Sequence, residues 1–157
     1  MNQLKISESI SVAATPDALY ELVSDVTKMG QWSPICKACW WDDEPGGPRV
    51  GAWFTGRNET PERTWETRCR VVAATPGQEF AWEVNDGWVH WGYTFAADGS
   101  GALLTENWEF LPAGIAGFHE RFGPQASDEI EKRRSAAVSG IPATLAAIKT
   151  AAEGHTR

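Results

Sequence analysis

The sequence predicts an α+β fold: a curved antiparallel sheet of about seven strands around one long carboxy-terminal helix, with two short helices after the first strand. Three observations predict it. Residues 124–150 carry an apolar stripe at helical spacing and form the long helix. Residues 35–110 divide into six strand-like segments joined by short turns, which dictates an antiparallel meander because parallel connections need longer crossovers. Near the amino terminus, an alternating segment runs directly into a helix start signal. With no repeat or interdomain linker, residues 1–157 read as a single domain, long enough to bury a real core.

In the first strand, Leu4, Ile6, Glu8, Ile10 and Val12 share one parity against Lys5, Ser7, Ser9 and Ser11, with Glu8 the flaw in an apolar face. Thr15 as cap, Pro16 at the first helical position and Asp17 in the first turn start a short helix whose stripe is Leu19, Leu22, Val23 and Val26. Asp25 to Met29 either extends that helix or makes a second short turn before Gly30.

The meander begins at Ile35–Asp42 and turns through residues 43–48, a stretch rich in Pro and Gly. Gly51–Glu59 follows, with Ala52, Phe54, Gly56 and Asn58 as its expected inner face. Thr64–Ala73 alternates most cleanly, setting Trp65, Thr67, Cys69 and Val71 opposite Glu66, Arg68 and Arg70. Glu79–Val84 groups Phe80, Trp82 and Val84, and Asn85-Asp86-Gly87 closes a tight hairpin. The return strand to Ala96 groups Val89, Trp91, Tyr93 and Phe95, and Ala102–Phe110 groups Leu104, Glu106, Trp108 and Phe110. In residues 111–123, Ile115, Phe118, His119 and Phe122 fit a short helix, while Pro112, Gly114, Gly117 and Gly123 fit a bent, mobile approach that would serve as a cavity entrance.

On the long helix Ala126, Ile130, Ala137, Val138, Ile141, Leu145 and Ile148 fall on one face at 100° per residue, and Arg134 falls among them. Gly140 and Pro142 interrupt its middle. A helix packed on a solid core needs none of these three residues, so this one is expected to cover something less uniform. The chain also holds nine tryptophans, none of them in this helix. Trp favours places where an apolar body meets a polar partner, so they either pack the core and sheet rim or line a ligand cavity.

A formal net charge of −7, with Lys132-Arg133-Arg134 as the only basic cluster, disfavours nucleic acid and anionic membrane as partners. No apolar run is long enough for stable membrane insertion, Met1 to Ser11 lack a signal-peptide core, and the cysteines are odd in number, so a cytoplasmic location is expected. Cys36 and Cys39 have C-x-x-C spacing but point to opposite faces of a regular strand and lack a second ligand pair, so the motif reads as coincidence. His90, His119 and His155 are scattered. No metal site is expected, and without a phosphate loop, nucleophile elbow or calcium loop no cofactor is expected either.

Ser11-Val12-Ala13-Ala14-Thr15-Pro16 leading into residues 19–25, then Met29-Gly30-Gln31-Trp32-Ser33-Pro34, residues 51–58, and Leu104-Thr105-Glu106-Asn107-Trp108 together resemble the START-like (SRPBCC) superfamily, in its polyketide cyclase/dehydrase and lipid-transport branch. The resemblance covers Lys5 to Ala151 and implies a helix-grip (START-like, Bet v 1-like) fold, with an elongated cavity between sheet and helix. It implies binding or transport of a small hydrophobic ligand: a lipid, a polyketide, or another aromatic or acyl compound. The alternatives are a polyketide cyclase or dehydratase using the same cavity, and an interaction or co-chaperone-like domain without a ligand. The protein is expected to be a monomer or a homodimer.

Arg134, centred on the helix face, would receive a carboxylate, enolate or polarised carbonyl if it faces the cavity; otherwise it reaches the rim or pairs with Glu106, Glu109 or Glu8. Glu106 is either a general base whose pKa is raised by burial or the ion-pair partner of Arg134. Asn58 either donates to a ligand carbonyl or serves the sheet. Phe54, Trp65, Trp82, Trp91, Tyr93, Trp108, Phe118 and Phe122 form the expected apolar wall.

Overall fold

Alternation along the chain builds the sheet. In the computed structural model, which describes residues 4–43 and 46–154, the strands are β1 (Lys5–Val12), β2 (Cys36–Trp41), β3 (Trp53–Thr60), β4 (Arg63–Thr75), β5 (Glu79–Val84), β6 (Val89–Asp98) and β7 (Gly101–Phe110). They lie in the order β1-β7-β6-β5-β4-β3-β2, and every neighbouring pair is antiparallel. The six-strand meander thus forms as expected, and β1 closes the sheet beside β7. Glu44, Pro45 and His155 lie outside the described residues.

The inner face expected of β3 appears, and on β4 and β7 the fold decides which parity turns inward. Phe54, Gly56 and Asn58 of β3, Cys69 and Val71 of β4, and Leu104, Glu106, Trp108 and Phe110 of β7 are all buried. Glu8 departs from its parity set: on the edge strand β1 it is exposed, although its register partner Glu106 is buried.

Helix α1 (Pro16–Val23) starts where the capping signal lies, with the Thr15 side chain accepting from the Ala18 N–H at 3.2 Å. Residues 26–31 form a separate 3₁₀ turn capped by Asp25, so the second of the two alternatives is realised. Gly30 in this turn is obligatory for packing, because a Cβ there would collide with the Lys37 carbonyl oxygen.

The segment after β7 is helical: α2 (Pro112–Phe122) leads through Gly123, at φ 57°, into α3 (Ala126–Gly154). Pro124 belongs to the 3₁₀ turn between them, so the long helix begins later and ends later than its apolar stripe implies. It runs unbroken through Pro142, whose ring is exposed. Val138, expected on the buried face, is 46% exposed, while Thr144 and Ala152 join Ile130, Ala137, Ile141, Leu145 and Ile148 in burial. The helix lies along β1 and β7 and against α2.

Neighbouring leucines on β7 provide a direct test of facing. Leu104 is fully buried and Leu103 is 38% exposed. Leu104→Ala should cost about 2–5 kcal/mol, whereas Leu103→Ala should stay within about 0.5 kcal/mol of the parent, both read from urea unfolding midpoints.

Candidate functional site

The helix lies close to one side of the sheet and stands off from the other, and a cavity of about 320 Å³ fills the space between α3 and the inner faces of β2 to β7. Its apolar wall contains every aromatic residue expected from the sequence: Phe54, Trp65, Trp82, Trp91, Tyr93, Trp108, Phe118 and Phe122. These rings brace one another. Trp82 stacks on Trp91 with centroids 6.5 Å apart, and Phe54 meets Trp82 edge-on at 5.8 Å. Phe118 of α2 packs against Phe110 at 4.9 Å and Phe122 at 5.1 Å.

Small residues on the helix leave the space open. Ala136, Ala137, Gly140 and Thr144 line the cavity together with Ile141 and Arg133. Gly140 therefore belongs to the cavity side of the helix, where a bulkier side chain would take up volume.

Arg134 does not line this cavity. Its guanidinium forms a two-point ion pair with Glu131, at 2.9 Å through Nε and 2.7 Å through Nη2, so none of Glu106, Glu109 or Glu8 is its partner. Consecutive helical residues stand about 100° apart, which turns Arg134 away and brings Arg133 in. Arg133 lies over Trp65 at 5.0 Å and Phe118 at 5.6 Å, with a longer ion pair to Glu129 at 3.7 Å. Arg63 lies over Trp65 at 4.8 Å, and Arg121 over Phe122 at 5.4 Å. All three arginines line the cavity, where exposed Arg63 and Arg121 mark its rim. Burial lowers the pKa of Arg133, and the positive charges of Arg63 and Arg121 lower it further against the pull of Glu129.

Glu106 is at the other extreme of the site, 3% exposed on β7. Its Oε1 has no hydrogen-bond partner. Burial in this apolar setting raises its pKa to about 8, and a hydrogen bond with Tyr93, its register partner on β6, only partly offsets the shift. Tyr93 is itself pushed well above the ordinary range by burial and by the nearby carboxylate. At neutral pH the carboxyl is thus mainly protonated, able to donate to an acceptor or, once ionised, to take a proton.

Asn58 is buried on the cavity wall, with its Nδ2 donating to Thr67 Oγ1 at 3.2 Å and reaching the Trp65 carbonyl at 3.5 Å. The amide is tied to β4, the sheet-serving alternative. His90 pairs with Glu83 at 3.0 Å away from the wall. Among the described residues, no group of three His, Cys, Asp or Glu side chains is placed to hold a metal ion. No helix among them is long and apolar enough to cross a membrane.

The cysteines correct the sequence reading most clearly. Cys36, Cys39 and Cys69 are all buried and all line the cavity. The register of β2 on β3 shifts between Cys36 and Ala38, and this β-bulge turns Cys36 to the same side as Cys39. A regular strand would separate them. Trp88, Thr144 and the arginines Arg63, Arg121 and Arg133 were likewise outside the expected site; of these, Trp88 belonged to the tryptophan excess and Arg133 to the basic run beside Arg134.

Residues 3–152 match the family described as polyketide cyclase/dehydrase and lipid transport. The chain is 51% identical to the Polyketide_cyc-like protein Cgl2372 from Corynebacterium glutamicum, with 99% of this chain and 95% of that one covered at a TM-score of 0.71. It also shares its fold with the di-domain ARO/CYC StfQ of the steffimycin biosynthetic pathway, at 17% identity and a TM-score of 0.71, covering 98% of this chain and 51% of StfQ. The di-domain ARO/CYC BexL of the BE-7585A biosynthetic pathway matches at 15% identity and a TM-score of 0.67, covering 95% of this chain and 50% of BexL. The chain thus spans about half of each di-domain protein. No curated protein matches it significantly.

The buried carboxyl sets a pH dependence whose sign is fixed. Because the fold raises the Glu106 pKa from 4.5 to about 8, its contribution is fully present below pH 4.5 and is lost as pH rises toward 8. At about 1.4 kcal/mol per unit, the loss is on the order of 4 kcal/mol. Glu106→Gln, which stays neutral, should remove it: the stability difference between variant and parent in urea should shift in favour of the variant by that amount from pH 4.5 to pH 8.

Proposed function

Since the chain belongs to the START-like polyketide cyclase/dehydrase and lipid-transport family, we propose that it holds a hydrophobic, carbonyl-bearing ligand of the polyketide class and promotes its cyclisation or dehydration with Glu106 as the acid/base group. The observation that carries this reading is the unpartnered Glu106 Oε1 buried on an otherwise aromatic wall. A buried carboxyl oxygen without a partner is expensive in a purely structural role, and its cost is removed when a ligand carbonyl accepts a hydrogen bond from it. The protonated form donates a hydrogen bond to a ligand carbonyl. The ionised form takes a proton from the carbon beside that carbonyl, and the acid so formed returns it to the departing hydroxyl, which leaves as water as the C–O bond breaks and a C=C bond forms. Tyr93 orients the carboxyl, and the tryptophan wall confines a flexible chain near its reactive conformation.

Arg133 is the polar counterpart on the helix side, taking the part the sequence assigned to Arg134. With Arg63 and Arg121 it makes the cavity rim positive in an otherwise acidic protein, which suits a ligand carrying an enolate, carboxylate or other anionic end at the opening. Asn58 is a wall residue whose amide orders β3 against β4.

Binding and transport without turnover is the second reading. It is favoured by five tryptophans on the cavity wall, Trp65, Trp82, Trp88, Trp91 and Trp108, which bury a ring-containing ligand whether or not it reacts.

One pair of measurements separates the two. Titration with an aromatic polyketide, a fatty acid and a sterol should give saturable quenching of tryptophan fluorescence for at least one of them, weakened by Arg133→Ala and unchanged by Arg134→Ala. Incubation with a linear poly-β-ketone analogue should then yield cyclised or dehydrated product at a rate reduced about 100-fold or more in Glu106→Gln, with ligand affinity retained. Binding with no product leaves the carrier reading, and no saturable binding at micromolar ligand rejects both.

A further inference from the structure

The acid/base reading makes no use of the sulfur atoms on the opposite part of the cavity wall. The bulge in β2 brings Cys36 Sγ and Cys39 Sγ to 3.3 Å from each other, and both face the cavity. Met29 Sδ stands 3.7 Å from Cys39 Sγ. Across from the pair, on β3, Gly56 has no side chain; a Cβ there would come within 3.2 Å and 3.3 Å of the two sulfurs. The turn before β2 is held by Ser33, whose Oγ accepts from the backbone N–H of Ile35 at 3.3 Å and of Cys36 at 3.0 Å. Both thiols are therefore positioned by backbone structure, the bulge on one side and the serine turn on the other.

We propose that Cys36 and Cys39 form a redox-active dithiol that a hydroperoxide entering the cavity converts to an intramolecular disulfide. Cys36 is the attacking sulfur. The two sulfurs share a hydrogen bond in which either can be the donor; drawn from the Cys39 thiol, it lowers the Cys36 pKa, opposed by burial and helped by the charge of Lys37. Cys39 is held in the protonated form by that same hydrogen bond and by burial, as suits a resolving thiol. Cys69 is a third thiol on the wall, but burial raises its pKa to about 12 and leaves it an unreactive bystander.

The Cys36 thiolate attacks the terminal oxygen of ROOH. An S–O bond forms, the O–O bond breaks, and RO⁻ leaves with a proton as the alcohol, leaving Cys36 as a sulfenic acid. The Cys39 sulfur then attacks Cys36 Sγ; an S–S bond forms, the S–O bond breaks, and hydroxide leaves with the Cys39 proton as water. Two thiols supply the two electrons that reduce one peroxide to alcohol and water. The sulfurs need only close from 3.3 Å to about 2.05 Å, a movement that side-chain rotation and small backbone adjustments supply. An external dithiol restores the pair.

The test uses the full-length, fully reduced protein and cumene hydroperoxide, with hydrogen peroxide as the small comparison. On oxidation the intact mass should fall by two hydrogens, and the denatured thiol count should drop from three to one. Trypsin cuts after Lys37, so the disulfide should join the peptides 29–37 and 38–49 until dithiothreitol releases them. Cys39→Ser should stop at a Cys36 sulfenic acid that dimedone traps, and Cys36→Ser should lose thiols about tenfold more slowly than the parent. A cross-link to Cys69, oxygen addition without paired loss of thiols, or a Cys36→Ser protein as reactive as the parent would overturn the assignment. The peptide cross-link is read on the parent protein and so does not depend on either variant folding.

Discussion

The strict alternation of β7 is the constraint on which the rest of the structure depends. This strand pairs residue for residue with β1 over Ala102–Glu109 and with β6 over its whole length. Hydrogen bonding on both sides leaves it no freedom to slip, and a slip by one residue would turn every side chain to the opposite face. Leu104, Trp108 and Phe110 are therefore inward together, and Glu106 is inward with them. Burying that carboxyl is unfavourable in isolation; three large apolar neighbours on the same strand face offset the cost and hold it in place.

The cavity follows from where the long helix can lie. It runs along β1 and β7 and stands away from the middle of the meander. Its cavity side carries Ala136, Ala137, Gly140 and Thr144, side chains too short to reach the far wall. The opposing strands contribute tryptophans and phenylalanines, which extend toward the helix without meeting it everywhere. A sheet rich in large rings facing a helix rich in small residues thus encloses an aromatic-walled space, with arginines where it meets water.

Two local irregularities decide the chemistry of the remaining wall. The bulge between Cys36 and Ala38 places two thiols on one face of a strand where simple alternation would divide them. Gly56 on the neighbouring strand leaves the room they occupy. A buried carboxyl and a pair of thiols therefore line one cavity from separate strands: Glu106 and Tyr93 from the β6–β7 pair, Cys36 and Cys39 from the bulged edge of the sheet.

Legible in the sequence were the order of elements, the antiparallel meander, the helix start at Thr15 and the grouping of Leu104, Glu106, Trp108 and Phe110 on one face of β7. These depend on periodicity and on capping chemistry, which act between residues close in the chain. The rings grouped in the sequence line the cavity, because each shares a parity with other apolar residues on its strand or a stripe on its helix. Packing settled which of two adjacent arginines enters the cavity, because apolar spacing locates a helical stripe but not which flank of it meets open space. Arg134 is drawn aside by Glu131 while Arg133 faces Trp65 and Phe118. The paired thiols were likewise beyond sequence reasoning, since a β-bulge is a property of two strands in register and no single strand carries its signature.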